Sequence, residues 1–180
     1  MRIGMIGLGK MGANMARRLM DDGHTVVGFD LDEAAVRALT DDGAGGATTL
    51  DALVGRLDPP RVCWMMVPAG GAVDATLDDL LPELEAGDIL VDGGNSNYKD
   101  TLRRAGRAGE HGIRYVDVGT SGGVWGLKEG YSMMVGGPDA AVDHLRPALE
   151  SLAPGPDEGW GHMGEVGAGH FVKMVHNGIE

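Results

Sequence analysis

The stretch "RIGMIGLGKMG", residues 2–12, constrains the fold more than any other part of the chain. An apolar run of strand character leads straight into Gly7, Gly9 and Gly12, and a segment with helical spacing, Met11 to Met20, follows at once. In G-x-G-x-x-G register the first glycine permits the tight turn, the second keeps the backbone bare for close approach, and the third lets helix and strand pack closely. The first helical turn then offers free amides and the positive end of the helix dipole, which suits a pyrophosphate. Alone the pattern is weak in a chain with 32 glycines, so its context decides.

That context is an alternation of short apolar runs with periodic segments. Strands are expected at "RIGMIG", "HTVVGFD", "RVCWMMV", "DILVDGG", "RYVDVGT" and "YSMMVGG". Helices are expected at Met11 to Met20, Glu33 to Leu39, Gly71 to Leu84, Tyr98 to His111 and Asp139 to Leu152. Such alternation means βαβ units, an α/β Rossmann-like fold with a mainly parallel sheet. The second strand ends in Asp30, 18 residues beyond Gly12, where a carboxylate can accept from adenosine ribose hydroxyls. Asp30 also reads as an N-cap for the helix starting near Glu33. Joined to the glycine turn, the dinucleotide reading prevails, with Gly7, Leu8, Gly9, Lys10, Met11, Gly12 and Asp30 as cofactor-binding residues. Asp30, Asp32 and Glu33 repel a 2′-phosphate and no arginine is expected beside them, so NAD is expected over NADP.

Two further loops, "VPAGG" (67–71) and "DGGNSN" (92–97), follow strands, and ligands of open α/β sheets bind at the carboxyl ends of strands. Asn95 reads there as a ligand residue or equally as a turn residue or N-cap. A third loop, "GTSGGVWG", puts Ser121, Gly122 and Gly123 where backbone amides can approach an anionic or hydroxylated substrate, although a flexible turn is the plainer reading.

The chain ends in "GHFVKMVHNGIE". At about 100° per residue, Lys173, His176, Asn177 and Glu180 share one helical face. A solvated face is the ordinary meaning of such a helix, but a base, an imidazole, an amide and a carboxylate gathered beside Gly178 suggest chemistry. The breaker-rich segment Leu152 to Gly164 before it reads as a domain edge. The opposite, apolar face needs a cover, so a helical region is expected to follow: a dinucleotide-binding domain over 1–163, then 164–180 as the start of a helical domain.

Composition removes other classes. The net charge is −12 with basic residues scattered, against a nucleic-acid groove or an anionic membrane surface. The single cysteine, Cys63, lies in an apolar run and reads as a buried structural thiol, with no disulfide partner in the chain. The Gly-broken opening is no signal peptide, and no apolar run reaches about 18 residues. A cytoplasmic location is expected.

"GLGKMG", "VDGGNS", "TSGG" and "GHFVKMVHNGIE", in this order and spacing, resemble the decarboxylating 6-phosphogluconate dehydrogenases of the β-hydroxyacid dehydrogenase superfamily. The resemblance implies Lys173 as general base and later acid, Glu180 as the acid that protonates carbon, and His176 and Asn177 as substrate binders. It implies Asn95, Ser121, Gly122 and Gly123 around the hydroxyls and carboxylate of a sugar acid. Val67, Pro68 and Ala69 would contact the cofactor, as would Asn95. It implies no metal, because a β-keto acid loses CO2 without one, and a homodimer or homotetramer formed through the helical domain. NADP-using members carry an Asn-Arg-Thr type sequence after the second strand, where this chain has Asp30 and Leu31, and "GGVWGLKEGYSMMVGG" is similar to the shorter, NAD-using branch. The family's phosphate ligands lie mainly beyond the position of Glu180. A 3-hydroxyisobutyrate-type dehydrogenase and a non-catalytic NAD-binding module are the competing readings.

Overall fold

The computed structural model describes residues 1–179, so Glu180 lies outside the described residues. Among the described residues, eight strands form one sheet in the order β3-β2-β1-β4-β5-β6-β7-β8. They are β1 (Arg2–Ile6), β2 (Thr25–Phe29), β3 (Gly45–Gly46), β4 (Val62–Met65), β5 (Ile89–Asp92), β6 (Arg114–Ser121), β7 (Ser132–Gly136) and β8 (Trp160–Gly164). All neighbours pair in parallel except β6 and β7, which are antiparallel. The order reverses between β1 and β4, where strands to either side run outward, and this is where a crevice opens in doubly wound folds.

Helices cover the sheet: α1 (Lys10–Asp21), α2 (Glu33–Asp41), α3 (Leu50–Val54), α4 (Gly71–Leu80), α5 (Tyr98–Glu110), α6 (Gly126–Glu129), α7 (Asp139–Leu152) and α8 (Ala168–Ile179). Alternate residues of the strands feed two cores. Ile3, Met5, Trp64, Val91, Val116 and Val135 meet α1 and α7 on one face. Ile6, Cys63, Met65, Leu90 and Tyr115 meet α3 and α4 on the other. The strands are apolar on both sides because both sides are covered.

Several expectations need correction. β3, α3, α6 and β8 escaped the sequence reading. A two-residue Gly-Gly strand has no periodicity to detect, and "WGHMG" is half-buried or exposed throughout, so it shows no apolar alternation. The segment Leu152 to Gly164, read as a domain edge, thus contains a strand of the main sheet. The helix expected to reach Leu84 ends at Leu80 and tightens into a 3-10 turn over Leu81–Glu83, where Pro82 has no N–H to donate.

Candidate active site

The glycine turn is built as its spacing demands. Gly7 has φ +91° and donates its N–H to Phe29 O at 2.9 Å; a Cβ here would collide with the Met66 carbonyl, and one on Gly12 with the Gly7 carbonyl. Gly9, the N-cap of α1, has no atom within 4 Å of its Cβ position and no side-chain cap. The bare backbone therefore faces open space. Leu8 is buried, Lys10 exposed and Met11 half-buried at the start of α1.

Asp30 is not the cap of α2. Asp32 takes that role, accepting from Ala34 N at 2.9 Å, while Asp30 Oδ2 accepts from Leu8 N at 2.6 Å and Oδ1 from Asp32 N at 2.8 Å. The carboxylate thus binds the end of β2 to the glycine turn. It lines a hollow of about 250 Å³ with Leu31, Val36, Arg37, Ala47 and Thr48, of a size and mixed polarity suited to a nucleoside. Arg37 corrects the expectation that no arginine stands near these carboxylates. It comes one helical turn after Glu33, to which it is paired at 3.3 Å.

The loops after β4 and β5 continue the same crevice. Val67 is half-buried, Pro68 and Ala69 are exposed, and the Val67 side chain and carbonyl lie 3.2 Å and 3.0 Å from the Cβ positions of Gly7 and Gly94. Behind them Arg104, fully buried on α5, donates to Gly70 O at 2.9 Å and grips both oxygens of Asp74 at 3.1 and 2.9 Å. Arg104, with Arg103, holds the Asp74 carboxyl well below the usual carboxylate range. Buried Asp92 accepts from Ser96 Oγ at 2.8 Å and Tyr115 OH at 3.2 Å, fixing the "DGGNSN" loop. The N-cap of α5 is Asn97, whose side chain accepts from Lys99 N, so Asn95 is left exposed and uncommitted.

Opposite that loop stands α8. Asp117 on β6 accepts from Gly167 N at 2.6 Å and His170 N at 2.8 Å, and burial pushes its carboxyl up from the ordinary value. Close packing of α8 on the sheet is possible only through glycines. A Cβ on Gly119 would collide with Lys173 Cβ, and one on Gly169 with the Met134 carbonyl. Lys173, 6% exposed, is thereby seated beside the end of β6.

A cleft of about 290 Å³ results, lined by Asn95, Ser96, Asn97, His170, Lys173, Met174 and Asn177. The structure brings together Asn95, Lys173 and Asn177, which are up to 82 positions apart in the chain. Ser121 ends β6 half-buried, with half-buried Gly122 and exposed Gly123 beyond it; these three and half-buried His176 are not among the lining residues. His170 and Ser96 line the cleft although the sequence reading passed over both. The signal for His170 was its position one turn before Lys173.

Fold and site together define a Rossmann-type dinucleotide-binding module with a lysine-bearing helix packed on β6 and β7. Residues 2–167 match the model of the NAD binding domain of 6-phosphogluconate dehydrogenase, and the chain belongs to that family. It is 52% identical over 180 residues to the NAD(+)-dependent, decarboxylating 6-phosphogluconate dehydrogenase of Haloferax volcanii, covering all of this chain and 59% of that protein. Among solved structures, the 6-phosphogluconate dehydrogenase of Plasmodium falciparum superposes with a TM-score of 0.90 at 32% identity, over 99% of this chain and 40% of that one. The 3-hydroxyisobutyrate dehydrogenase of Mycobacterium tuberculosis also gives 0.90, at 30% identity over 99% of this chain and 59% of that one. The chain spans about three fifths of the length of the first curated relatives it matches.

Proposed function

We propose that this chain is the cofactor-binding part of a dehydrogenase that oxidises and decarboxylates 6-phospho-D-gluconate to ribulose 5-phosphate, with NAD as oxidant. The observation that carries the reading is the convergence of Lys173, Asn177 and Asn95 on one cleft, whose 92–97 loop packs through Gly94 on Val67 beside the glycine turn.

The bound dinucleotide supplies the acceptor for the hydride lost from C3. Lys173 as a neutral amine takes the C3 hydroxyl proton, and as an ammonium it then hydrogen-bonds the oxygen on which charge develops as CO2 leaves. Asn95, Asn177 and His176 hold the hydroxyls, and Ser121 with the Gly122 and Gly123 amides holds the carboxylate. Glu180, outside the described residues, is assigned the proton donated to C1. Residues 164–180 begin a helical domain that completes the substrate site, supplies phosphate ligands and forms the homodimer or homotetramer.

NAD is preferred because the Asp30 carboxylate occupies the ribose position and Glu33 neutralises Arg37. Loss of a charge-assisted hydrogen bond is worth about 1.5–3 kcal/mol, so NAD should bind roughly ten- to a hundred-fold more tightly than NADP; equal dissociation constants refute the preference. In a full-length protein, NADH and CO2 should appear with 6-phosphogluconate and far less with gluconate. The Mycobacterium likeness supports a second reading, a 3-hydroxyisobutyrate-type enzyme. NADH with that acid, and no CO2 from phosphogluconate, would establish it instead.

A further inference from the structure

Two complementary groups, the Lys173 amine and the His170 Nε2, belong to residues one helical turn apart in the cleft, and each is unpaired among the described residues. The Lys173 amine makes no hydrogen bond or ion pair with a described residue. His170, 2% exposed, has its Nε2 buried with nothing to bond. What Nε2 can do depends on where the ring carries its proton, and the neighbours of Nδ1 decide that.

Thr101 Oγ1 lies 2.7 Å from His170 Nδ1 and 3.2 Å from Asn97 O, and a threonine hydroxyl has one proton to give. If Nδ1 is bare, Thr101 must spend its proton on the ring, the Asn97 bond is lost, and Nε2–H is a buried donor without an acceptor. If Nδ1 carries the proton, the ring donates to Thr101 and Thr101 donates to Asn97. The second arrangement makes one more hydrogen bond. It also puts the ring proton beside the Asp117 carboxylate, 3.9 Å from Nδ1. Nε2 then presents a lone pair.

We propose that His170 is a positioning residue for the Lys173 amine, its Nε2 accepting one amine N–H so that the amine's own lone pair is aimed at the ligand. Residues three apart on a helix are surface neighbours, and the lysine stem has the rotatable bonds to bring Nζ across. A ligand that fills the cleft keeps water from the amine, and an internal acceptor then serves in its place. Asn95 and Asn177 are exposed and serve the ligand. Through Thr101 and Asn97 the same ring ties α8 to the loop of Asn95, fixing the distance between the two walls.

The proposal rests on Lys173 as the base, and the test separates the two. Long-range nitrogen-15 NMR on the 180-residue protein should show His170 protonated at Nδ1 and bare at Nε2; protonation at Nε2 overturns the proposal without any variant. In full-length enzyme, His170→Asn keeps a donor near Nδ1 but removes the distal acceptor, whereas His170→Gln places a carbonyl near Nε2. His170→Asn should lose roughly ten-fold in kcat with KM little changed, and His170→Gln should recover part of it. A purely structural histidine gives the opposite order, because asparagine preserves the Thr101 anchor; that order, or an unchanged kcat in His170→Asn, refutes the proposal. Lys173→Met run alongside identifies the fault: if it retains turnover, the base assignment itself has failed.

Discussion

At the scale of single residues, the site separates glycines needed for the fold from those needed for the ligand. Gly12 has no room for a methyl group against the Gly7 carbonyl, so Gly12→Ala should destabilise the protein by about 1–3 kcal/mol, the usual range for overpacking. Gly9 has ordinary φ and open space around its Cβ position. Gly9→Ala should leave the urea midpoint close to wild type and weaken NAD binding, because the methyl group projects where the pyrophosphate would approach. Parallel denaturation and NAD titrations check both; equal behaviour of the two variants would contradict the division. Lys173→Met in a full-length protein should cost about 10²–10⁴ in kcat, the size of a general-base contribution, with NAD affinity nearly unchanged. Steady-state kinetics and a binding titration decide it, and loss of NAD affinity in proportion would make Lys173 a cofactor residue.

At the scale of elements, α4 and α5 are joined by the Asp74–Arg104 pair, and Arg104 also holds the Gly70 carbonyl and so the 67–71 loop. Asp74 is depressed in the folded state by its arginines. Its contribution is therefore present in full above the unfolded carboxylate value of 3.8 and is lost as pH falls below it toward the folded value. Wild type should lose more stability between pH 7 and pH 3 than Asp74→Asn, which has no charge to lose; equal losses in urea melts at the two pH values would refute this. The legible elements are those with a buried apolar period: β1, β2 and β4 to β7, and α1, α2, α4, α5, α7 and α8. The strand "WGHMG" is not among them, because it is a half-exposed edge with no apolar face. The site was legible where chemistry is local in sequence, as in Lys173 and Asn177. It was illegible where neighbours come from other elements: Arg37 sits seven residues past Asp30 but shares its hollow, and the meaning of His170 depends on Thr101, 69 positions away. Spacing cannot report which of two asparagines two residues apart caps α5, since that depends on how the loop turns.

At the scale of the whole molecule, α8 exposes an apolar strip of Phe171, Met174, Val175 and Ile179, with Leu102 of α5 also exposed. A contiguous exposed apolar face of this kind marks an interaction surface, and under the proposed function it is the seat of the helical domain. The 180 residues alone should accordingly bind NAD yet fail to reduce it with 6-phosphogluconate. Isothermal titration and absorbance at the NADH band test both halves, and turnover by the 180 residues alone would mean that the substrate site is complete without further residues. No helix among the described residues is long and apolar enough to cross a membrane. The glycine contacts beneath α8 carry a last implication. Because Gly119 of β6 lies against the lysine stem and Gly169 of α8 against the backbone of β6 and β7, the depth of the Lys173 stem is set by main chain rather than by any replaceable side chain. Under the proposed function, drift in the surrounding loops can then change which hydroxy acid is admitted while the root of the lysine keeps its place, and one scaffold can be handed from substrate to substrate without rebuilding its chemistry.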